Sequence, residues 1–400
     1  HVRVLDLSRI IAAPWAGQIL GDLGAEVIKL ERPGAGDEIR KWGPPYLPGE
    51  NGARGDSVYY TSANRNKKSV TIDFTQPEGQ RLVRELAARS DVVLENFKMG
   101  SLRRYGLDYD ALRALNPRII YCSVTGFGQE GPYAPRAGYD ALVQAFSGLM
   151  ATTGRPDGEP GAGPIKCGIP VSDILTGLYA TIAVLAALAY REVSGIGQRI
   201  DMALLDSQVA CLANQALTYL HTGSAPRRMG NDHPNVVPYR DFPTADGQMM
   251  LAIGGDDQFA RFARVAGHPE WASDPRFAVN AERVRHRHEL LPMIAAVTAT
   301  RTTRQWVEAL EPEGVPCGPI HTLPELFADA HVRARGLAIT MRHPLAGDIP
   351  LLASPIRLSA TPVQYRIPPP TLGQHTREVL EDLLGLDART IDELRERKVV

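Results

Sequence analysis

The chain has 400 residues and a mass of 43.6 kDa, room for two or three domains and a sizeable core. Forty-four Lys and Arg offset 45 Asp and Glu for a formal net charge of −1, so neither the basic excess of a nucleic-acid protein nor the polybasic tract of a peripheral membrane protein is present. With 44% hydrophobic and 22% charged residues wholesale disorder is excluded, and the cysteines Cys122, Cys167, Cys211 and Cys317 form no C-x-x-C pair that would indicate zinc or a disulfide framework.

Residues 2–7 read as a short apolar strand, and no signal or transit segment is visible in the sequence; the expected location is cytoplasmic, or mitochondrial if a transit peptide has been removed. Pro14 suits the first turn of a helix over about 15–23, which Gly24 can end. Residues 27–31 and 69–73 are the next strands. Thr75-Gln76-Pro77-Glu78 matches a capping box for a helix running to about residue 88. Strands over 92–96 and 119–124 complete a β-α-β-α-β rhythm, which predicts a parallel sheet covered on both faces.

The rhythm is Rossmann-like, but the first strand-to-helix loop, Leu7-Ser8-Arg9-Ile10-Ile11-Ala12-Ala13-Pro14, lacks G-x-G-x-x-G, which argues against a dinucleotide. Residues 151–168 are dense in Gly and Pro and mark a loop. Residues 174–190 are apolar enough to resemble a membrane span, yet at 17 residues, with Thr176, Gly177 and Thr181 inside, they read as a buried core helix. A second helical stretch covers 203–220. A smaller α/β unit then begins near Phe242, where Ala245-Asp246-Gly247 reads as a hairpin turn before a strand over 248–253. Residues 258–330 look mostly helical, the chain becomes strand-like from about 335, and a final helix covers about 376–385. The domains expected are a large Rossmann-like domain over 1–222, a small α/β domain over 223–330, and a return segment over 331–400 that completes the large one.

Asp173 opens the most apolar helix after a Gly/Pro-rich loop. There the helix dipole favours a carboxylate while an apolar surround desolvates it, a setting for a nucleophile. Asp173, or Ser172 beside it, can equally serve as a helix cap. Tyr139-Asp140 follows a turn-rich loop and can orient a substrate, with a cap at Asp140 as the plainer role. Gly254-Gly255-Asp256-Asp257 is a flexible loop over a site or an ordinary strand–helix turn. His286 and His288, two apart in a basic run, diverge on a helix and do not pair as ligands. No H-E-x-x-H, G-x-S-x-G or P-loop pattern occurs, and no metal site is expected. Arg9, Arg32, Arg65, Lys67, Lys68 and Arg104 recur where strands end, which suits an anionic ligand with phosphates as well as it suits scattered surface charge.

Several stretches together resemble the family III CoA-transferases, the group that contains formyl-CoA transferase. They are Val4-Leu5-Asp6 with Pro14, Leu23-Gly24-Ala25-Glu26-Val27-Ile28-Lys29-Leu30-Glu31, Asn64-Arg65-Asn66-Lys67-Lys68-Ser69, Glu95-Asn96-Phe97, Gly138-Tyr139-Asp140, Gly168 with Asp173 and Gly177, Gly314-Val315-Pro316-Cys317-Gly318-Pro319 and Leu372-Gly373-Gln374-His375-Thr376. Arg136-Ala137-Gly138-Tyr139-Asp140-Ala141 and Val237-Pro238-Tyr239 are similar to the succinate–hydroxymethylglutarate (glutarate) subgroup. The resemblance implies an interlocked homodimer, acyl-CoA and carboxylate substrates, and no permanently bound cofactor. It places Asp173 on the family's nucleophile, with Tyr139 and Asp140 in support, and implies an aspartyl anhydride followed by an aspartyl-CoA thioester. Arg9, Ile10, Ala12, Arg32, Ile72, Asn96, Phe97 and Arg104 fall on positions of the CoA groove. Arg9 departs there from a histidine, while Thr75 and Ala137 depart from lysines. For the acceptor's second carboxylate the candidates are Arg136, Arg65 and His233. One rival is α-methylacyl-CoA racemase, whose motif has His where Tyr139 stands, and a phenol with a pKa of about 10 is a poor base. The other is a non-catalytic CoA-binding protein. No nucleic acid or membrane partner is expected.

Overall fold

The computed structural model describes residues 2–400. The predicted alternation becomes a six-stranded, all-parallel sheet of β1 Arg3–Asp6, β2 Glu26–Glu31, β3 Lys67–Thr71, β4 Val92–Glu95, β5 Ile120–Thr125 and β6 Arg199–Ala203, in the order β3-β2-β1-β4-β5-β6. Alternate residues feed two cores. Leu5, Ile28, Val70 and Val93 pack on one face, and Val4, Val27, Leu94 and Ile120 on the other. Burial on both faces is why the strands read as apolar runs. The order reverses between β1 and β4, so the loops leaving their carboxyl ends part there, which is where open α/β sheets present a binding crevice.

Among the helices of this part are α1 Ala12–Asp22, α2 Pro77–Ala88, α3 Asp140–Phe146, α4 Val171–Ser194, α5 Leu204–Ala210 and α6 Ala213–Thr222. Four expectations need correction. The capping box before α2 does not form: the Thr75 hydroxyl and N–H both bond Asp73, two residues back, and Gln76 makes no side-chain cap. The sixth strand, with its exposed charged positions Arg199 and Asp201, is additional to those predicted. The stretch over 203–220 breaks at Ala213, whose φ is +44°. The long apolar helix is buried on one face only. Thr176, Gly177, Ala180, Thr181, Val184 and Ala187 are buried, but Leu178, Tyr179, Ile182, Leu185 and Val193 are exposed.

By its contacts the chain divides into two units, one of His1–Met150, Lys166–Ser224 and Ala334–Val400, the other of Ala151–Ile165 and Ala225–Arg333. Residues 151–165 therefore group with the smaller unit. The sheet of that unit is antiparallel throughout. The Asp246 turn joins β7 Tyr239–Thr244 to β8 Gly247–Ala252 as an antiparallel hairpin, β9 Cys317–Pro319 adds antiparallel to β8, and helices cover a core of Phe242, Leu251, Phe259, Phe262 and Trp306.

In the larger unit the returning chain forms a hairpin, β10 Ala338–His343 with β11 Gly347–Leu352, and then runs along β3. Asn66 N–H bonds the Ile367 carbonyl at 2.7 Å, His375 N–H the Ser69 carbonyl at 2.9 Å, and Asp73 N–H the Val399 carbonyl at 2.7 Å. This covers an otherwise open sheet edge. Two helices lie here, α7 Thr376–Leu384 and α8 Ala388–Glu396, one more than the sequence predicted.

Candidate active site

Two glycines bring Asp173 to the crevice. A Cβ on Gly177 would stand 2.6 Å from the Ala12 carbonyl oxygen, so only glycine lets α4 press its first turns against the start of α1. A Cβ on Gly138 would stand 2.4 Å from the Gly126 Cα, so the Gly138-Tyr139-Asp140 turn crosses the chain leaving β5 backbone to backbone.

Neither Ser172 nor Asp173 caps α4. The helix begins at Val171 behind Pro170, with no side-chain cap of its own, and Asp173 is its third residue. Asp140 takes that role from another helix. Its Oδ1 accepts the Ser172 N–H at 2.8 Å and the Asp173 N–H at 3.4 Å, and its Oδ2 accepts Gln144 Nε2 at 2.6 Å. Nor does Asp140 cap its own helix, where Tyr139 holds the N-cap position. Gln144 Oε1 accepts the Cys167 N–H at 2.8 Å, and the Ser172 hydroxyl donates to Gln208 Oε1 at 2.8 Å, so buried amides fix the approach to the helix.

The Asp173 carboxyl accepts no hydrogen bond among the described residues. Burial and the neighbouring Asp140 charge push it up to about 7, against the pull of the helix's positive end. It faces a cavity of about 250 Å³. Arg9 to Ala12 after β1, Asn96 to Met99 after β4, the end of β5, and Arg136 to Tyr139 supply the walls. Tyr59 stands close by: burial, then the charges of Asp173 and Asp140, push its phenol up, and Trp42 stacks on it at 6.1 Å. Sequence reading missed Tyr59, which no motif marks.

Asn96 fastens the loop after β1 in both directions, accepting the Arg9 N–H at 2.9 Å and donating to the Arg9 carbonyl at 2.7 Å. The Arg9 guanidinium lies 4.9 Å from the Phe97 ring centre and pairs with Glu38 at 2.9 Å. Arg9, Glu38 and Phe97 also border a second cavity of about 440 Å³, lined by Arg32, Ile72, Asp73, Phe74, Thr75 and Trp42 among others. The predicted set Arg9, Ile10, Ala12, Arg32, Ile72, Asn96 and Phe97 is thus gathered around two adjoining hollows at the sheet's switch point. Arg104 borders neither and rests over Tyr105 at 4.6 Å.

Other basic residues have partners of their own. Arg65, a candidate for an acceptor carboxylate, is buried and bidentate to Asp22 at 2.9 and 2.5 Å, with its remaining nitrogen on the Leu352 carbonyl. Its fork is fully engaged, which removes it from that role. Lys67 is buried against Asp6 at 2.9 Å, and Lys68 bridges Glu26 and Glu378. Arg136, by contrast, lines Asp173's cavity, lies 3.9 Å from the Tyr133 ring centre and has no acidic partner among the described residues. His233 belongs to the smaller unit, where it packs on Tyr239 at 5.2 Å, and in the same unit Asp256 pairs with Arg283 at 2.7 Å.

The sequence profile of CoA-transferase family III matches residues 1–376. A succinate–glutarate CoA-transferase of Agrobacterium fabrum is 48% identical over 382 residues, 96% of this chain and 94% of that protein. The succinyl-CoA:glutarate CoA-transferase of Homo sapiens is 42% identical over 399 residues, 100% of this chain and 89% of that one. The crystal structure of a CAIB/BAIF family protein from Brucella suis matches with a TM-score of 0.83 and 44% identity, covering 96% of this chain and 98% of that one.

Proposed function

The chain belongs to CoA-transferase family III, and from that premise we propose that it moves CoA from succinyl-CoA to a dicarboxylate of the glutarate or hydroxymethylglutarate type, with Asp173 as nucleophile. The observation that carries this reading is a carboxyl that accepts no hydrogen bond among the described residues, held in a cavity at the sheet's switch point. An unsolvated carboxylate is a stronger nucleophile than one in water.

The Asp173 carboxylate attacks the thioester carbonyl and expels CoA thiolate, leaving a mixed anhydride. The thiolate attacks the aspartyl carbonyl, releases succinate and leaves an aspartyl-CoA thioester. The acceptor carboxylate attacks that thioester, forming a new anhydride and freeing the thiolate. Attack of the thiolate on the acceptor's carbonyl yields the new acyl-CoA and restores the Asp173 carboxylate. Each addition develops an oxyanion. The main-chain N–H groups of Ile11, Ala12 and Ala13, at the start of α1, have no acceptor among the described residues, and Ile11 and Ala12 line the same cavity, so they are suited to receive it.

The second cavity, with Arg32 exposed on its rim, suits the CoA nucleotide, and Arg9 with Phe97 marks the passage from one hollow to the other. Arg136 is our assignment for the acceptor's second carboxylate, since that group must keep a cation or several hydrogen bonds once water leaves. The four free cysteines suit a reducing compartment and support a cytoplasmic site of action.

The outward face of α4 exposes Leu178, Ile182, Leu185 and Val193, and α6 exposes Leu217 and Leu220. An apolar surface of this kind supports a homodimer; Ile182→Arg should shift the chain to monomer in sedimentation, and an unchanged sedimentation profile contradicts the assignment. The transferase reading is tested by an acceptor panel with succinyl-CoA, reading new thioesters by mass. Glutaryl-CoA is expected; α-proton exchange without transfer, or preference for butyrate over glutarate, contradicts it.

A further inference from the structure

Ile10 has a φ of +70°, in the left-handed region. For an L residue that conformation is unfavourable, more so for a β-branched side chain, and it persists only where neighbours enforce it. The enforcing group is the Asp37 carboxylate. Its Oδ1 accepts the Ile10 N–H at 3.1 Å, and its Oδ2 lies 3.2 Å from the same nitrogen. Oδ1 also accepts the Ile39 N–H at 3.2 Å, which ties the loop to the turn over Glu38–Lys41.

Lys29 closes the grip from beneath. Its Nζ donates to Asp37 Oδ2 at 2.9 Å and to the Ser8 carbonyl at 2.9 Å. One ion pair therefore holds the loop on both sides of Arg9, by the carbonyl before it and the N–H after it. Both side chains are 0% exposed. A second fully buried pair, Lys67 with Asp6, stands behind, and Asp6 accepts the Ser8 N–H at 3.0 Å.

Two buried charges are a poor device for stability alone, because apolar residues of the same volume usually do as well. What apolar residues cannot do is hold the Ile10 N–H in a strained turn. The consequence reaches the chemistry, since Ile10, Ile11 and Ala12 line the cavity that holds Asp173. We propose that Asp37, anchored by Lys29, is a positioning residue for CoA transfer: its carboxylate keeps Ile10 left-handed and thereby fixes the wall across from Asp173 where the reacting carbonyl sits. This rests on the reading of Asp173's cavity as the reacting site.

The test uses the full chain with succinyl-CoA and glutarate. Asp37→Ala should lower kcat about tenfold or more, with a smaller rise in KM, because a displaced wall misplaces the carbonyl. Adding Ile10→Gly should recover roughly threefold or more of that loss, since glycine enters the left-handed region without penalty. A merely structural role predicts no recovery, because the second substitution then only adds damage. Hydrogen exchange supplies a readout that needs no turnover: the peptide over residues 7–13 should exchange about tenfold faster or more in Asp37→Ala, while residues 171–194 keep the wild-type rate. If Asp37→Ala fails to fold, Asp37→Asn, which keeps the shape and loses the charge, is read by the same criteria. Unchanged kcat, no recovery in the double variant, or unchanged exchange over 7–13 would each overturn the proposal. A wild-type chain that transfers no CoA would overturn the functional reading instead, while the exchange rates still decide whether Asp37 holds the loop.

Discussion

Asp140 Oδ1 lies 2.8 Å from the Ser172 main-chain nitrogen, so a carboxylate 32 residues upstream caps the helix that carries Asp173. The cap and the electrostatics of Asp173 are thereby one arrangement. The group that satisfies the helix's first N–H groups is a negative charge beside Asp173, and with burial it pushes the Asp173 carboxyl up to about 7.

A pH prediction follows. The proposed attack needs the Asp173 carboxylate, so kcat/KM should rise with pH along a limb near 7. Asp140→Asn keeps an acceptor for the Ser172 N–H and removes the charge, so the limb should move to lower pH. Profiles between pH 5 and 9 check this, and an unmoved limb assigns the rise to another group.

The same shift bears on stability. In the unfolded chain Asp173 titrates near 3.8 and in the folded one near 7, so the folded state binds the proton more tightly across that interval. Its contribution is therefore fully present below the unfolded value and is lost as pH rises through about 7. Asp173→Asn removes the buried charge and should raise Tm at pH 8 by about 2 °C or more, with less effect at pH 5. Scans of both proteins at the two pH values measure it; an equal or larger gain at pH 5 contradicts the sign.

How much of this was legible in the sequence depends on range. The five strands and the helix after β3 follow from local apolar runs and turn residues, and Gly138, Asp140, Asp173 and Gly177 stand in a recognisable order. Partnerships across the fold leave no local mark. Arg65 reads as a free cation until Asp22 is seen against it, 43 residues away. Thr75 reads as a cap until Asp73 takes its hydroxyl. Strand β6 is short and alternates exposed Arg199 and Asp201 with partly buried Ile200 and Met202, so it gives no apolar run. Asp37 and Tyr59 belong to no motif and gain their roles only where the loops after β1 and β2 meet.

CoA recognition predicts a contrast between two arginines. Arg32 borders the second cavity and Arg104 borders neither hollow. Arg32→Ala should raise KM for succinyl-CoA by about fivefold or more at low ionic strength, less at high salt, as a lost phosphate contact requires. Arg104→Ala should do less. Initial rates at two salt concentrations decide this, and the reverse ranking would move the phosphates to the Arg104 side.

Arg136→Ala should raise KM for glutarate about tenfold and leave a monocarboxylate acceptor nearly unaffected, since only the dicarboxylate loses a charge-assisted partner. Paired kinetics with glutarate and butyrate give the ratio. An equal effect on both acceptors removes Arg136 from recognition of the second carboxylate.

The central claim is that Asp173 carries the acyl and CoA groups in turn, and intact mass after mixing with succinyl-CoA, followed by hydroxylamine and peptide mapping, tests it most directly. The account predicts a covalent adduct on the wild-type chain, a hydroxamate at Asp173 that forms only with acyl-CoA present, and neither in Asp173→Asn, which should still bind CoA. An Asp173→Asn chain that retains about a tenth or more of wild-type turnover, or a hydroxamate mapped to another carboxylate, would contradict it.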